Sequence, residues 1–120
     1  MTLQQLLTLK RNSPGPLVYC LCGSTNKAMQ AFKDESLRLT LAGHIVLSIG
    51  VNARDSDLSI TDEQKVQLDI LHLHKIDRCN VVRILNVGGY IGESTSREVA
   101  YATFLYSVGI IQSIEYLEGV

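Results

Sequence analysis

The tightest constraint on this chain is Leu17-Val-Tyr-Cys-Leu-Cys22, six consecutive apolar residues that stop at Gly23-Ser-Thr25. A run without polar alternation suits a strand covered on both faces, as in a parallel sheet with helices above and below it. His44–Ile49, closed by Gly50, and Asn80–Val87 read as further short strands, and Ile110–Ile114 as a last one. Arg83 is the exception within these runs, a charge that needs a partner or a subunit contact where burial is expected.

Helical patterns separate the strands. Thr25–Ala42 carries Met29, Phe32 and Leu39 on one side, with Gly43 as its stop. Thr61-Asp-Glu-Gln64 is a capping box, and Val66, Ile70, Leu73 and Ile76 continue at helical spacing, so a helix is expected over Asp62–Arg78. Another is expected over Thr95–Ser107. Before the first strand, residues 1–11 form a short amphipathic helix with Leu3, Leu6, Leu7 and Leu9, and Arg11-Asn-Ser-Pro-Gly-Pro16 breaks it. The domain proper is then 17–120, with 1–16 a helix and linker. Asn52–Ile60 has no period and many turn formers, so it reads as a loop.

Strands and helices in alternation predict an α/β fold: a doubly wound, flavodoxin-like parallel sheet of about four to five strands. The expected strand order is 2-1-3-4, with helices on both faces. Ligands in such sheets sit beyond the carboxyl ends of the first and third strands. Here those places are Gly23-Ser24-Thr25 and Gly88–Glu98, the stretches richest in Gly, Ser and Thr.

Length and charge narrow the function. With 120 residues there is room for one core, which excludes a two-domain dehydrogenase, a TIM barrel or a protein kinase. Eleven Lys and Arg against twelve Asp and Glu leave a net charge of -1, so nucleic acid and membrane are not expected partners. No apolar run reaches 18 residues and no cleavable leader is evident, so a cytoplasmic protein is expected. Three cysteines read as free, buried thiols, Cys20 and Cys22 on the same side of a strand. A metal site would need Cys20, Cys22, Cys79, His72 and His74 to converge, and no C-x-x-C pair announces one, so no metal is expected.

Both glycine-containing loops have the chemistry of an anion cradle, with backbone amides and a following helix start, yet tight turns and caps have the same composition. Neither is a Walker A or a G-x-G-x-x-G. Glu98 either looks across the crevice or, in Thr95-Ser-Arg-Glu98, closes a capping box on Thr95. Asp69 and His72, three apart, share one helix face, where they tune a proton donor or simply face water.

Cys22-Gly-Ser-Thr25, Gly43-His-Ile-Val-Leu-Ser48, Leu68-Asp-Ile-Leu-His72 with Lys75-Ile-Asp77, and Leu85-Asn-Val-Gly-Gly-Tyr-Ile-Gly-Glu-Ser-Thr95 leading to Arg97-Glu-Val-Ala-Tyr-Ala102 occur in this order. Together they resemble the nucleoside 2-deoxyribosyltransferase superfamily over residues 18–117. The resemblance implies cleavage of the N-glycosidic bond of a (deoxy)nucleoside or nucleoside 5'-monophosphate, with the sugar passed to another base or to water. It makes Glu98 the nucleophile, since Glu98-Val-Ala-Tyr-Ala102 matches the family's pattern, and it overrides the cap reading. It also implies substrate contacts at Gly23 and Ser24 and assembly as homodimers or larger. The family's Asp or Ser six residues before the nucleophile is replaced here by Gly92, while Ser94, Thr95 and Ser96 offer hydroxyls nearby. The family's second-helix Asp aligns near His72, with Asp69 and Asp77 on either side.

The expected reaction is that of a retaining glycosidase. Glu98 attacks the anomeric carbon, Asp69 or His72 handles the proton of the leaving base, and closure of Asn52–Ile60 excludes water. The expected substrate contacts are Gly23, Ser24, Thr25, Asp77, Gly89, Gly92, Ser94 and Thr95, and the chemistry requires no cofactor. The competing reading is a catalytically silent nucleotide-sensing module of the same fold.

Overall fold

A computed structural model describes residues 1–50 and 59–119. The first apolar run forms β1 (Val18–Gly23), paired in parallel with β2 (Ile45–Leu47) on one side and β3 (Val81–Leu85) on the other. β4 (Ser113–Tyr116) completes a four-stranded, all-parallel sheet in the order β2-β1-β3-β4. This is the expected α/β, flavodoxin-like arrangement.

The period of two along β1 sorts its side chains between two cores. Tyr19 and Leu21 pack with Phe32 and Leu39 of α2 (Met29–Leu41). Cys20 and Cys22 pack on the other face, with Ile76 of α3 (Asp62–Asp77) and with Ala102 and Leu105 of α4 (Glu93–Ser107). The N-terminal helix α1 (Leu3–Asn12) opens on the Thr2–Gln5 capping box and buries nothing; Leu3, Leu6, Leu7 and Leu9 are all exposed.

Several element boundaries move for identifiable reasons. α2 begins at Met29 rather than Thr25, because Ser24 Oγ accepts from the amides of Asn26 and Lys27 and holds residues 24–28 in a turn. α4 begins earlier than expected, at Glu93 with Gly92 as N-cap. The last strand is Ser113–Tyr116 instead of Ile110–Ile114. Gly109, at φ +81°, ends α4 in a Schellman motif in which Ile110 N–H donates to Leu105 O and Gly109 N–H to Tyr106 O. The apolar residues after it therefore belong to a helix exit, and Ile111 packs into the core from there. The same motif at Gly43 (φ +91°) ends α2 where the sequence placed its stop.

Arg83 finds its partners inside the chain. Projecting from β3 toward α2, its Nε donates to Glu35 at 2.5 Å and its Nη1 to Glu115 of β4 at 3.3 Å. Glu35 is buried and also accepts from Arg38 at 2.6 Å. The Arg38 guanidinium holds the Glu35 carboxyl below its ordinary range, burial opposes this, and Arg83 adds to the lowering. A carboxyl lowered in the folded state stabilises above its unfolded value, and that contribution is lost as pH falls through the folded one.

Arg83→Met should therefore destabilise the protein by about 3 kcal/mol, read as a lower urea midpoint, because a buried carboxylate loses one of its two cations. The deficit should shrink in acid, and Glu35→Leu combined with Arg83→Met should recover most of it. Identical midpoints for parent and Arg83→Met at neutral pH would show that the pair contributes nothing.

Candidate functional site

β1 and β3 stay paired to their carboxyl ends, and the crossovers that follow them leave in opposite directions. Gly23 lets them lie close at that point: a Cβ there would meet Leu85 Cβ at 3.0 Å and Leu85 O at 3.2 Å. Beyond it opens a cavity of about 610 Å³, a size that holds a small organic ligand. Gly23, Ser24 and Thr25 form one wall, and Gly92, Ser94, Thr95 and Glu98 of the α4 start form the facing one. Asp69 and His72 enter from α3, and Phe32 and Tyr90 supply apolar surface.

Glu98 lies in the second turn of α4, three residues beyond the buried Thr95. Since the helix starts at Glu93 with no side-chain cap, the Thr95–Glu98 capping box of the sequence does not form. Glu98 is instead a buried carboxyl at the cavity wall, 9% exposed. Burial raises its pKa, the charge at His72 works against this, and Cys20 and Asp69 push it further up.

His72 is buried beneath the cavity, with Nε2 3.0 Å from Leu21 O, 3.4 Å from Cys22 Sγ and 3.7 Å from Cys20 Sγ. Burial pulls its pKa down, but the hydrogen bond and the charge at Cys20 prevail and raise it. The Cys22 thiol, hydrogen-bonded to Cys20, and His72 together lower the Cys20 thiol to about 6 against the effect of burial. Cys22 moves the opposite way, raised by its bond to Cys20 and by burial. Of the two thiols, Cys20 is therefore the more acidic.

Asp69 is differently placed. Its Oδ1 accepts from Lys65 at 2.6 Å and its Oδ2 from Arg97 at 3.3 Å, and both cations also reach Ser94 Oγ. Lys65 and Arg97 were not singled out by the sequence reading, although Lys65 stands four residues before Asp69, the spacing of a helical ion pair. Tyr90 was missed as well. Lys27 Nζ sits 5.4 Å from its ring centroid and so joins the turn after β1 to the segment before α4.

Two expected contacts do not line the cavity. Asp77 accepts a hydrogen bond from Tyr101 at the far end of α3, about 12 Å along the helix axis from Asp69 at 1.5 Å per residue. Gly89, at φ +77°, serves a 3-10 turn over Val87–Gly89, where its N–H donates to Asn86 O. The anion cradle expected after β1 is also altered, since Ser24 Oγ already occupies the amides of Asn26 and Lys27. Of the Asn52–Ile60 loop, residues 52–58 lie outside the described residues, while Ile60 lines the cavity.

Of the five residues a metal site would need, Cys20, Cys22 and His72 do converge. Cys79 does not join them: its thiol donates to Ile76 O and burial pushes it up to about 12. His74 pairs with Asp77 at the outer end of α3.

Fold and site thus define a doubly wound α/β protein whose switch-point crevice is lined by a buried carboxyl and an imidazole, with two thiols packed in the core behind the imidazole. No family model, curated protein or solved structure matches the chain. No helix among the described residues is long and apolar enough to cross a membrane.

A carboxyl raised in the folded state stabilises below its unfolded value and loses that contribution as pH rises through the folded one. Glu98→Gln should therefore fold normally and match or exceed the parent's thermal midpoint at neutral pH, the gap narrowing in acid. A large loss of stability on this substitution would assign Glu98 a structural role.

Proposed function

We propose that the protein cleaves or transfers the N-glycosidic bond of a (deoxy)nucleoside or nucleoside 5'-monophosphate through a covalent glycosyl-Glu98. One observation carries this reading: a buried carboxyl and the Ser24 turn face each other across a cavity of nucleoside size. The resemblance of residues 18–117 to the nucleoside 2-deoxyribosyltransferase superfamily supplies the reaction class.

In this reading Glu98 attacks the anomeric carbon, the bond to the base breaks, and an ester to the sugar forms; water or an acceptor base then releases it. His72, whose proton affinity the hydrogen bond and charge at Cys20 raise against burial, favours the ionised form of Glu98 in a place where burial disfavours it. Asp69, fixed by Lys65 and Arg97, orients the sugar or the base from α3. Tyr90 and Phe32 offer apolar faces to the base. A homodimer or larger assembly belongs to the same proposal, with the exposed leucines of α1 as apolar surface available for it. So does a cytoplasmic location, which suits three free thiols.

A second reading, a silent nucleotide-sensing module, is favoured by the raised proton affinity of Glu98 and by Gly92, which brings no side chain to the cavity. Incubation with a panel of nucleosides and 2'-deoxynucleoside monophosphates, followed by chromatography of free base, separates the two. The glycosidase reading expects base release that falls by more than about 1,000-fold in Glu98→Ala and Glu98→Gln, the scale on which loss of a nucleophile is felt. Its rate should climb with pH along an acid limb displaced above the ordinary carboxylate range. Tight binding without release supports the sensor, and release that persists in Glu98→Gln ends the nucleophile assignment.

A further inference from the structure

Cys20 and Cys22 project from the same face of β1, and both are fully buried. His72 reaches them from α3, and the three donor atoms lie within 4.8 Å of one another. His72 Nε2 faces three groups at once, Leu21 O at 3.0 Å, Cys22 Sγ at 3.4 Å and Cys20 Sγ at 3.7 Å. A single ring nitrogen has one hydrogen or one lone pair, so it cannot satisfy all three. In a tetrahedral Zn²⁺ site, bonds of about 2.3 Å to sulfur and about 2.05 Å to nitrogen place S and N about 3.6 Å apart. The two observed S–N separations, 3.4 and 3.7 Å, fall on either side of that value.

We propose that Cys20, Cys22 and His72 form a binding site for a thiophilic divalent cation of the Zn²⁺ class, at the floor of the cavity. Two thiolates and one neutral imidazole are the soft donors such ions select, and three protein ligands leave a fourth position open. Water fills it from the cavity side, which His72 lines. Binding displaces two protons per ion from the thiol–imidazole cluster, and His72 carries its remaining proton on Nδ1. The ion and its two thiolates are together neutral, which suits a buried place better than an unpaired charge. The geometry is independent of whether the cavity above it cleaves nucleosides.

Co²⁺ provides a coloured probe. The full chain, with its thiols reduced and metal stripped by a chelator, should bind one Co²⁺ with thiolate-to-metal absorption in the near ultraviolet and visible bands of four-coordinate intensity. Zn²⁺ should bleach both. Cys20→Ser, Cys22→Ser and His72→Ala should each weaken binding by more than about 100-fold, beyond the effect of losing an outer hydrogen-bond partner. Cys79→Ser should leave it unchanged, because that thiol belongs to the α3 exit. X-ray absorption on the Zn²⁺-loaded parent, which needs no variant to fold, should read two sulfur ligands and one imidazole. An unchanged spectrum on adding Co²⁺, bands that survive in Cys20→Ser, or a shell of oxygen alone would each overturn the site.

Discussion

The burial of β1 on both faces is the constraint from which the rest of the molecule follows. A strand flanked by β2 and β3 and covered above and below must divide its side chains between two cores. Tyr19 and Leu21 commit one face to α2; Cys20 and Cys22 commit the other to α3 and α4. Slipping β1 by one residue would exchange the two sets and bring Tyr19 and Leu21 to the face where His72 lies. The small thiols leave room for an imidazole under the cavity, and Gly23 then lets the strands stay close until the crevice opens.

α3 runs antiparallel to the strands, so its first turns lie at their carboxyl ends. Residues spaced along one of its faces thereby form a graded series: Asp62 and Lys65 at the cavity rim, Asp69 on its wall, His72 at its floor, Ile76 in the core. The same direction carries Asp77 out of reach. On the opposite side of the sheet, Arg83, Glu35, Arg38 and Glu115 replace part of an apolar contact with a partly buried ion network. The network joins α2, β3 and β4, and its charges need fixed positions to offset their desolvation.

Strand order, the existence of each major helix and the location of the crevice were legible because each rests on a local signal. Apolar runs mark β1 and β3, Thr61–Gln64 caps α3, and Gly43 stops α2. The sequence misjudged the start of α4 because its Thr-x-x-Glu pattern is also what a carboxyl looks like inside a helix that has already begun at Glu93. It displaced β4 because Ile110 and Ile111 are apolar for a reason unrelated to strands, the hydrophobic exit after Gly109. Glu98, Asp69 and His72 share the cavity as expected, but the thiol–imidazole contact spans more than fifty positions of chain, which no local pattern reports. The Lys65–Asp69 pair was visible in spacing; the Arg97–Asp69 pair needed the packing of α4 on α3.

The two acidic residues that face the cavity from α3 and α4 differ in surroundings more than in distance along the fold. Asp69 is partly exposed and held by two cations. Glu98 is buried, and among the described residues no lysine or arginine forms an ion pair with it. Burial of that carboxyl opposes its ionised form, and the imidazole of His72 is the neighbour that works against this. The hydrogen bond and the charge at Cys20 raise the proton affinity of His72 against its own burial. Cys20, His72 and Glu98 therefore form one electrostatic chain from the buried strand to the open cavity. A change at either inner member alters the balance of charge at the cavity wall.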